Sequence, residues 1–170
     1  MNIRIADREI KTKYGTFSEV LYYNGQRESI ALVMGDVANG ENVLCRVHSA
    51  CLGGHVFNSV ECECADEMAS AQAAVQQAGK GVIIYLDQEG KGNGHLALMA
   101  SIPFKNAGHS QGEAYEMAGF ASDARSFRPA AEILNELKVK SIILLTNNPE
   151  KAADLRRYSI IVSDTKELSI

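Results

Sequence analysis

The sequence has no tryptophan, and aromatic residues make up only 6% of it. Proteins that hold single-stranded nucleic acid by stacking need a platform of rings, and little is available here. Positive charge is short as well: 17 Lys and Arg face 21 Asp and Glu, for a net charge of −4. This excludes the basic footprint of a duplex-binding protein. An anionic substrate must then be held by a few placed lysines and arginines. No apolar run approaches the ~18 residues of a membrane-spanning helix. Arg4 to Lys13 is polar and charged, unlike a secretory signal. A soluble, cytoplasmic protein is expected, with no membrane or nucleic-acid partner. Repeats, low-complexity stretches and linkers are missing too, so residues 1–170 are expected to form a single domain, long enough for a real core.

What is present is concentrated. All four cysteines lie between positions 45 and 64. In a cytoplasmic chain such clustering favours thiols and metal ligands over disulfides. Cys51, Cys62 and Cys64 stand as C-x10-C-x-C. Three soft ligands without an obvious fourth are the donor set of a catalytic zinc ion, which keeps one position for water. Zinc lowers the pKa of that water towards ~7, which points to hydrolysis. Cys62 and Cys64 share a side if the segment is extended. Two other readings stand beside this one. Free cysteines are common in cores, and Cys45, His48 or His55 as a fourth ligand would make the site structural.

Residues 17–23 and 29–35 read as strands joined by the polar turn Asn24 to Arg27, and Val43 to His48 as a third strand. Asp66 to Ala78 is an alanine-rich helix with Asp66 as its expected N-cap and Gly79 beyond its end. Val82 to Leu86 is a short buried strand. A helix follows from about His95, which Pro103 is expected to stop or kink. Gly112 to Ala118 and Pro129 to Leu137 read as helices, Ser141 to Leu145 as a strand, Pro149 as a helix start, and Ile160 to Val162 as the last strand. The second half is therefore β-α-β-α-β. The expected fold is α/β: a single-domain three-layer α/β sandwich with a mixed sheet and an N-terminal β-rich layer. Ligands in such sheets sit at the carboxyl ends of strands. Two loops qualify, Asp87 to Gly94 and Thr146 to Pro149.

Each loop has a functional and an ordinary reading. In Asp87 to Gly94 three glycines allow backbone to approach a ligand closely. Glu89 can accept the two N–H donors of a guanine edge, and Lys91 can meet a phosphate. The same residues also suit a plain strand-to-helix connection. In Ser122-Asp123-Ala124-Arg125 the arginine fork suits phosphate, or it forms a surface ion pair. Thr146, the backbone N–H groups at the next helix start and Lys151 compose an anion site, or a capped helix with a solvated lysine.

Taken together, these segments resemble one family. Arg46-Val47-His48-Ser49, the cysteine set, Gln88-Glu89-Gly90, Gly119 to Arg125 and Leu144 to Pro149 are similar to GTP cyclohydrolase II, the zinc enzyme that opens the guanine ring. The resemblance runs from about residue 10 to 162 and implies roles. Cys51, Cys62 and Cys64 would be the zinc ligands. Arg46, Thr146 and Lys151 would contact the triphosphate, and Glu89 would read the guanine edge. Asp123 would be the proposed base, and Arg125 the proposed nucleophile on the α-phosphorus. A guanidinium stays protonated to a pKa above ~12, so a bidentate clamp is the milder reading of Arg125. Magnesium on the substrate phosphates and a homodimer are implied as well.

This chain also departs from the family pattern. Ile102 stands where a Tyr associated with loss of the formyl group is usual. Among nucleotide-site positions, Ala50 replaces Glu, Glu67 replaces Gln, Gln111 replaces Thr, and Lys91 and Asp87 each replace Arg. His55 replaces an Asp beside the zinc loop. The expectation is a zinc-dependent hydrolase that opens the imidazole ring of a purine nucleotide, with GTP the expected one, and stops at the formamidopyrimidine. The alternatives are a related hydrolase of another purine-like substrate and a catalytically silent nucleotide-binding homologue.

Overall fold

The computed structural model describes residues 1–169. Seven strands form one mixed sheet: β1 (Ile3–Thr12), β2 (Gly15–Tyr23), β3 (Glu28–Met34), β4 (Val43–Ser49), β5 (Gly81–Leu86), β6 (Ile142–Leu145) and β7 (Val162–Lys166). Their spatial order is β1-β2-β3-β5-β4-β6-β7. The first three strands and β5 pair antiparallel, whereas β5, β4, β6 and β7 run parallel. The N-terminal β-rich layer is thus the antiparallel wing of the same sheet.

Six helices complete the described chain: α1 (Leu52–His55), α2 (Cys64–Ala78), α3 (His95–Asn106), α4 (Gln111–Met117), α5 (Arg128–Glu136) and α6 (Pro149–Arg157). Strand alternation sends side chains to two cores. Val82, Ile84 and Leu86 pack with Ala130, Ile133 and Leu134 of α5 and Leu155 of α6. Ile83, Phe17 and Leu145 pack on the opposite face against Ala71 and Val75 of α2. The sheet is covered on both faces, which gives the three layers.

Some boundaries differ from the sequence reading. β1 was not foreseen, because its residues are almost all exposed and show no apolar alternation. Pairing with β2, down to Thr12 opposite Gly15, makes it a strand. Helix α2 begins at Cys64 with Glu63 as N-cap and no side-chain capping bond. Asp66 lies within its first turn, where a carboxylate favours the helix dipole. Pro103 does not stop α3, which continues to Asn106. Pro103 and Met99, whose carbonyl loses its partner, are both exposed, so water can satisfy that carbonyl. The last strand starts at Val162 and runs to Lys166, beyond the apolar residues that suggested it. No helix among the described residues is long and apolar enough to cross a membrane.

Candidate active site

Three connections leave the carboxyl ends of the parallel strands on the same edge of the sheet. The chain leaves β4 at Ser49 and turns into α1, with Cys51 as its N-cap. The Gly54 N–H donates to Cys51 Sγ at 3.4 Å. A loop then returns to Cys62 and to Cys64, the first residue of α2. Cys62 and Cys64 therefore converge at a helix start, and the segment is not extended as the sequence reading supposed. The three Sγ atoms lie within 4.8 Å of one another, and Cys51 and Cys62 are 3.6 Å apart. Zn–S bonds of about 2.3 Å in tetrahedral geometry require sulfurs separated by about 3.8 Å. The donor set fits zinc.

The surroundings agree with that fit. A Cβ on Gly54 would lie 3.0 Å from Cys62 Sγ and 3.4 Å from Cys51 Sγ, so the missing side chain makes room for the thiols. Burial and the neighbouring thiols push the Cys64 thiol well above its ordinary range, and burial likewise raises Cys51. A cation at their centre would reverse this by favouring thiolates.

The possible fourth ligands are engaged elsewhere. Cys45 is fully buried in the core on the α5 side, and burial pushes its thiol up to about 12. His48 Nε2 and His55 Nε2 lie 2.9 Å apart, and Tyr85 stacks on His48. Burial, then Arg46 and His55, bring His48 down to about 3, so it is neutral. Neither histidine joins the thiol cluster.

A cavity of about 210 Å³ opens beside the thiols. Cys51, Cys64, Arg46, Glu67, Glu89, Lys91, Gln111, Arg125 and Lys151 line it, so most residues singled out from the sequence meet at one place. Arg46 is 2% exposed and donates to Glu67 Oε2 at 2.5 Å and to the Leu145 carbonyl at 3.2 Å. Burial lowers the Arg46 pKa, and Glu67 opposes the shift. Lys151 Nζ donates to the Val47 carbonyl at 3.3 Å. Burial, then Arg46 and Arg125, bring Lys151 down to about 8. The Gln111 amide donates to Ser101 Oγ at 3.1 Å.

Glu89 is already partly committed. Its Oε2 accepts from the Leu52 N–H at 2.6 Å and its Oε1 from the Gly90 N–H at 3.1 Å. Each oxygen keeps a lone pair for another donor. Arg125 forks onto Asp123, with Nε 3.0 Å from Oδ1 and 3.1 Å from Oδ2. Burial opposes the Asp123 charge, but the bonds from Arg125 prevail and hold the carboxyl below its ordinary value. Arg125 lines the cavity and Asp123 does not.

The loops also make contacts within the chain. Gly90 and Gly92 approach the chain's own backbone. A Cβ at Gly90 would lie 2.4 Å from the Gly94 carbonyl oxygen, and one at Gly92 would lie 2.7 Å from Ala124. The glycines let the loops of Glu89 and Arg125 meet, and Gln88 ties them further. Its Nε2 donates to the Ser126 carbonyl at 2.8 Å, and its Oε1 accepts from the Ser126 N–H at 2.8 Å. Thr146 faces its own loop. Its hydroxyl donates to the Asn148 carbonyl at 3.1 Å and accepts from the Asn148 N–H at 3.0 Å. It shapes the turn into α6, and Lys151 of that helix reaches the cavity.

The sequence reading did not single out Gln88 as a tie, Gly54 or Tyr115. The Gly53-Gly54 pair inside the cysteine loop was the available signal for the second. Tyr115 gave none, because a tyrosine in a short amphipathic helix ordinarily belongs to the core.

Comparison with known proteins places the chain in a family. The chain is 41% identical over 163 residues to the riboflavin biosynthesis protein RibBA of Bacillus mycoides, covering 95% of this chain and 41% of that protein. It is 41% identical over 169 residues to RibBA of Bacillus cereus, covering 98% and 43%. The chain thus spans about two fifths of the length of these curated relatives. A crystal structure of RibBX, a two domain 3,4-dihydroxy-2-butanone 4-phosphate synthase from A. baumannii, aligns with 99% of this chain and 40% of its own. The TM-score is 0.53 at 17% identity, which bears on the fold alone. The family model of GTP cyclohydrolase II matches residues 3–167, and the chain belongs to the GTP cyclohydrolase II family.

Proposed function

We propose that this domain is a zinc-dependent cyclic amidine hydrolase that opens the imidazole ring of a purine nucleotide, with GTP as the substrate. The observation that carries the reading is that two thiols of the triad, Cys51 and Cys64, line a cavity also lined by Arg46, Lys91, Arg125 and Lys151. One end can hold a metal and the rest can hold phosphates. Zinc held by Cys51, Cys62 and Cys64 would polarise a water for attack on the ring carbon between the two imidazole nitrogens.

The protein's own groups supply recognition. Glu89 accepts from the N–H donors of the guanine edge through its free lone pairs. Arg125 clamps the α-phosphate, with Asp123 fixing the plane of its fork, while a second water attacks the α-phosphorus and the bond to the β-phosphate breaks to release pyrophosphate. Arg46 and Lys151 meet the outer phosphates, whose remaining charge magnesium neutralises, and Lys91 adds a point charge at the near side. Glu67 keeps Arg46 charged and oriented. Gln111 contributes an amide oxygen to the wall, and Thr146 holds the loop that delivers Lys151. The domain spans the whole chain and acts in the cytoplasm as a homodimer.

Ile102 sets the end of the reaction. Isoleucine neither gives nor takes a proton, so ring opening stops at the formamidopyrimidine and formate is retained. The product then feeds a specialised use rather than the riboflavin biosynthesis of the relatives' name. The test is mass spectrometry of the zinc-loaded protein with GTP and magnesium, with formate and pyrophosphate assayed together. The expected result is a formylated product with pyrophosphate and no formate. Loss of turnover in Cys62→Ser ties the activity to the triad.

One observation favours a second reading. Ala50 lines the cavity and leaves space there, which suits a purine-like substrate other than GTP. A nucleotide panel separates the two: GTP as the best substrate rejects this reading. Absence of any zinc-dependent turnover across the panel leaves a binding-only homologue.

A further inference from the structure

Tyr115 sits in the middle of α4, is 1% exposed and lines the cavity. Its hydroxyl lies 3.4 Å from where a Gly90 Cβ would stand. Its ring is buried, but its hydroxyl is not among the polar atoms shut off from solvent and makes no hydrogen bond among the described residues, so it is free to meet a ligand in the cavity. The charged groups that act on it are Glu89, Arg125, Asp123 and Cys51. Burial, then Glu89, raise its pKa, so it carries its proton at neutral pH and can donate.

The neighbours define what it can donate to. Glu89 can take the N–H donors of a guanine, and the Leu52 N–H bond brings that carboxylate beside the Cys51 turn. The triad marks the place of the imidazole carbon. On the guanine edge between these two ends lie only acceptors, O6 and N7. We propose that the Tyr115 hydroxyl donates a hydrogen bond to N7 of the purine and thereby selects and orients the ring presented to the thiol triad. This rests on the proposed purine nucleotide substrate. Attack on the adjacent carbon raises electron density on N7, so the same bond strengthens as the ring opens. Tyr115 is thus a substrate-contacting residue.

The test is equilibrium binding of GTP and of 7-deaza-GTP, which lacks the N7 acceptor, to the zinc-loaded protein and to Tyr115→Phe. The variant changes one oxygen, and its melting temperature and zinc content report whether the fold and triad persist. The expected result is that the wild type prefers GTP by about tenfold and that Tyr115→Phe binds the two alike, at the wild type's 7-deaza-GTP affinity. A wild type that binds both nucleotides equally overturns the inference without recourse to the variant. So does a variant that keeps the preference, and either result leaves the proposed function standing. A wild type that binds neither removes the proposed substrate and this inference with it.

Discussion

Gly54 and Cys62 leave little room between them: a Cβ at Gly54 would stand 3.0 Å from Cys62 Sγ and 3.1 Å from Cys64 Cβ. Gly54 is helical, with no positive φ, so its requirement is for space. In Gly54→Ala the thiols must give way by a few tenths of an ångström while the sheet stays in place. Zinc affinity should fall by about 10–100-fold, the range seen when groups supporting a metal site are altered. Metal content after dialysis against a graded chelator checks this, and a variant that retains zinc as firmly as the wild type refutes the fit.

The buried Arg46–Glu67 pair predicts an asymmetry. Arg46 is 2% exposed, whereas the Glu67 side chain is 24% exposed. Glu67→Ala leaves a buried guanidinium without its carboxylate and should cost about 3 kcal/mol, or roughly 6–12 °C in Tm. Glu67→Gln keeps an acceptor oxygen at the same place and should cost less than half as much. Thermal unfolding of the two variants side by side tests the order.

Lys151 predicts a pH window. Its folded pKa of about 8 lies below the ~10.4 of a free lysine. Between those values the unfolded chain binds more protons, so stability rises with pH there; below about 8 both states are protonated and the slope disappears. The difference in stability between wild type and Lys151→Met should therefore change between pH 8 and 10 and be flat from pH 6 to 7.5. Affinity for inorganic triphosphate should weaken in the wild type as pH rises through about 8 and show no such step in the variant. Unfolding and binding titrations across this range read both.

Ile102 lies one helical turn beyond Leu98 on α3, and Leu98 lines the cavity. Helical side chains lean towards the N-terminus, so a tyrosine at 102 leans towards Leu98. Its present side chain is 41% exposed, and a larger one meets little resistance. Ile102→Tyr should release formate from GTP where the wild type releases pyrophosphate alone. Stoichiometric formate from the wild type would sink the stalled product.

Much of the site was legible because its chemistry is carried by residue types with few alternative uses. Three cysteines at C-x10-C-x-C, an arginine two residues from an aspartate, and Thr-Asn-Asn-Pro before a helix each limit what the segment can do. The parallel half of the sheet was legible from alternating strand and helix patterns. β1 was not, since an edge strand buries too little to show a period of two. The direction of the glycine contacts was also hidden. Glycine marks a close approach but does not say to what, and at Gly92 the neighbour is Ala124.

By itself, the sequence determined the class of the fold, the cysteines from which a metal site could be built and the cations available for an anionic substrate. These follow from local spacing and from side-chain chemistry that no packing alters. The tertiary structure decided which candidates share a cavity. It turned Cys45 into the opposite core, paired His48 with His55, directed Thr146 into its own loop and left Tyr115 with a free hydroxyl at the cavity wall. The reason is physical: strand pairing and the two-faced sheet bring together segments far apart in the chain, such as Arg46 and the Leu145 carbonyl, and no local pattern records which side chains then face one another.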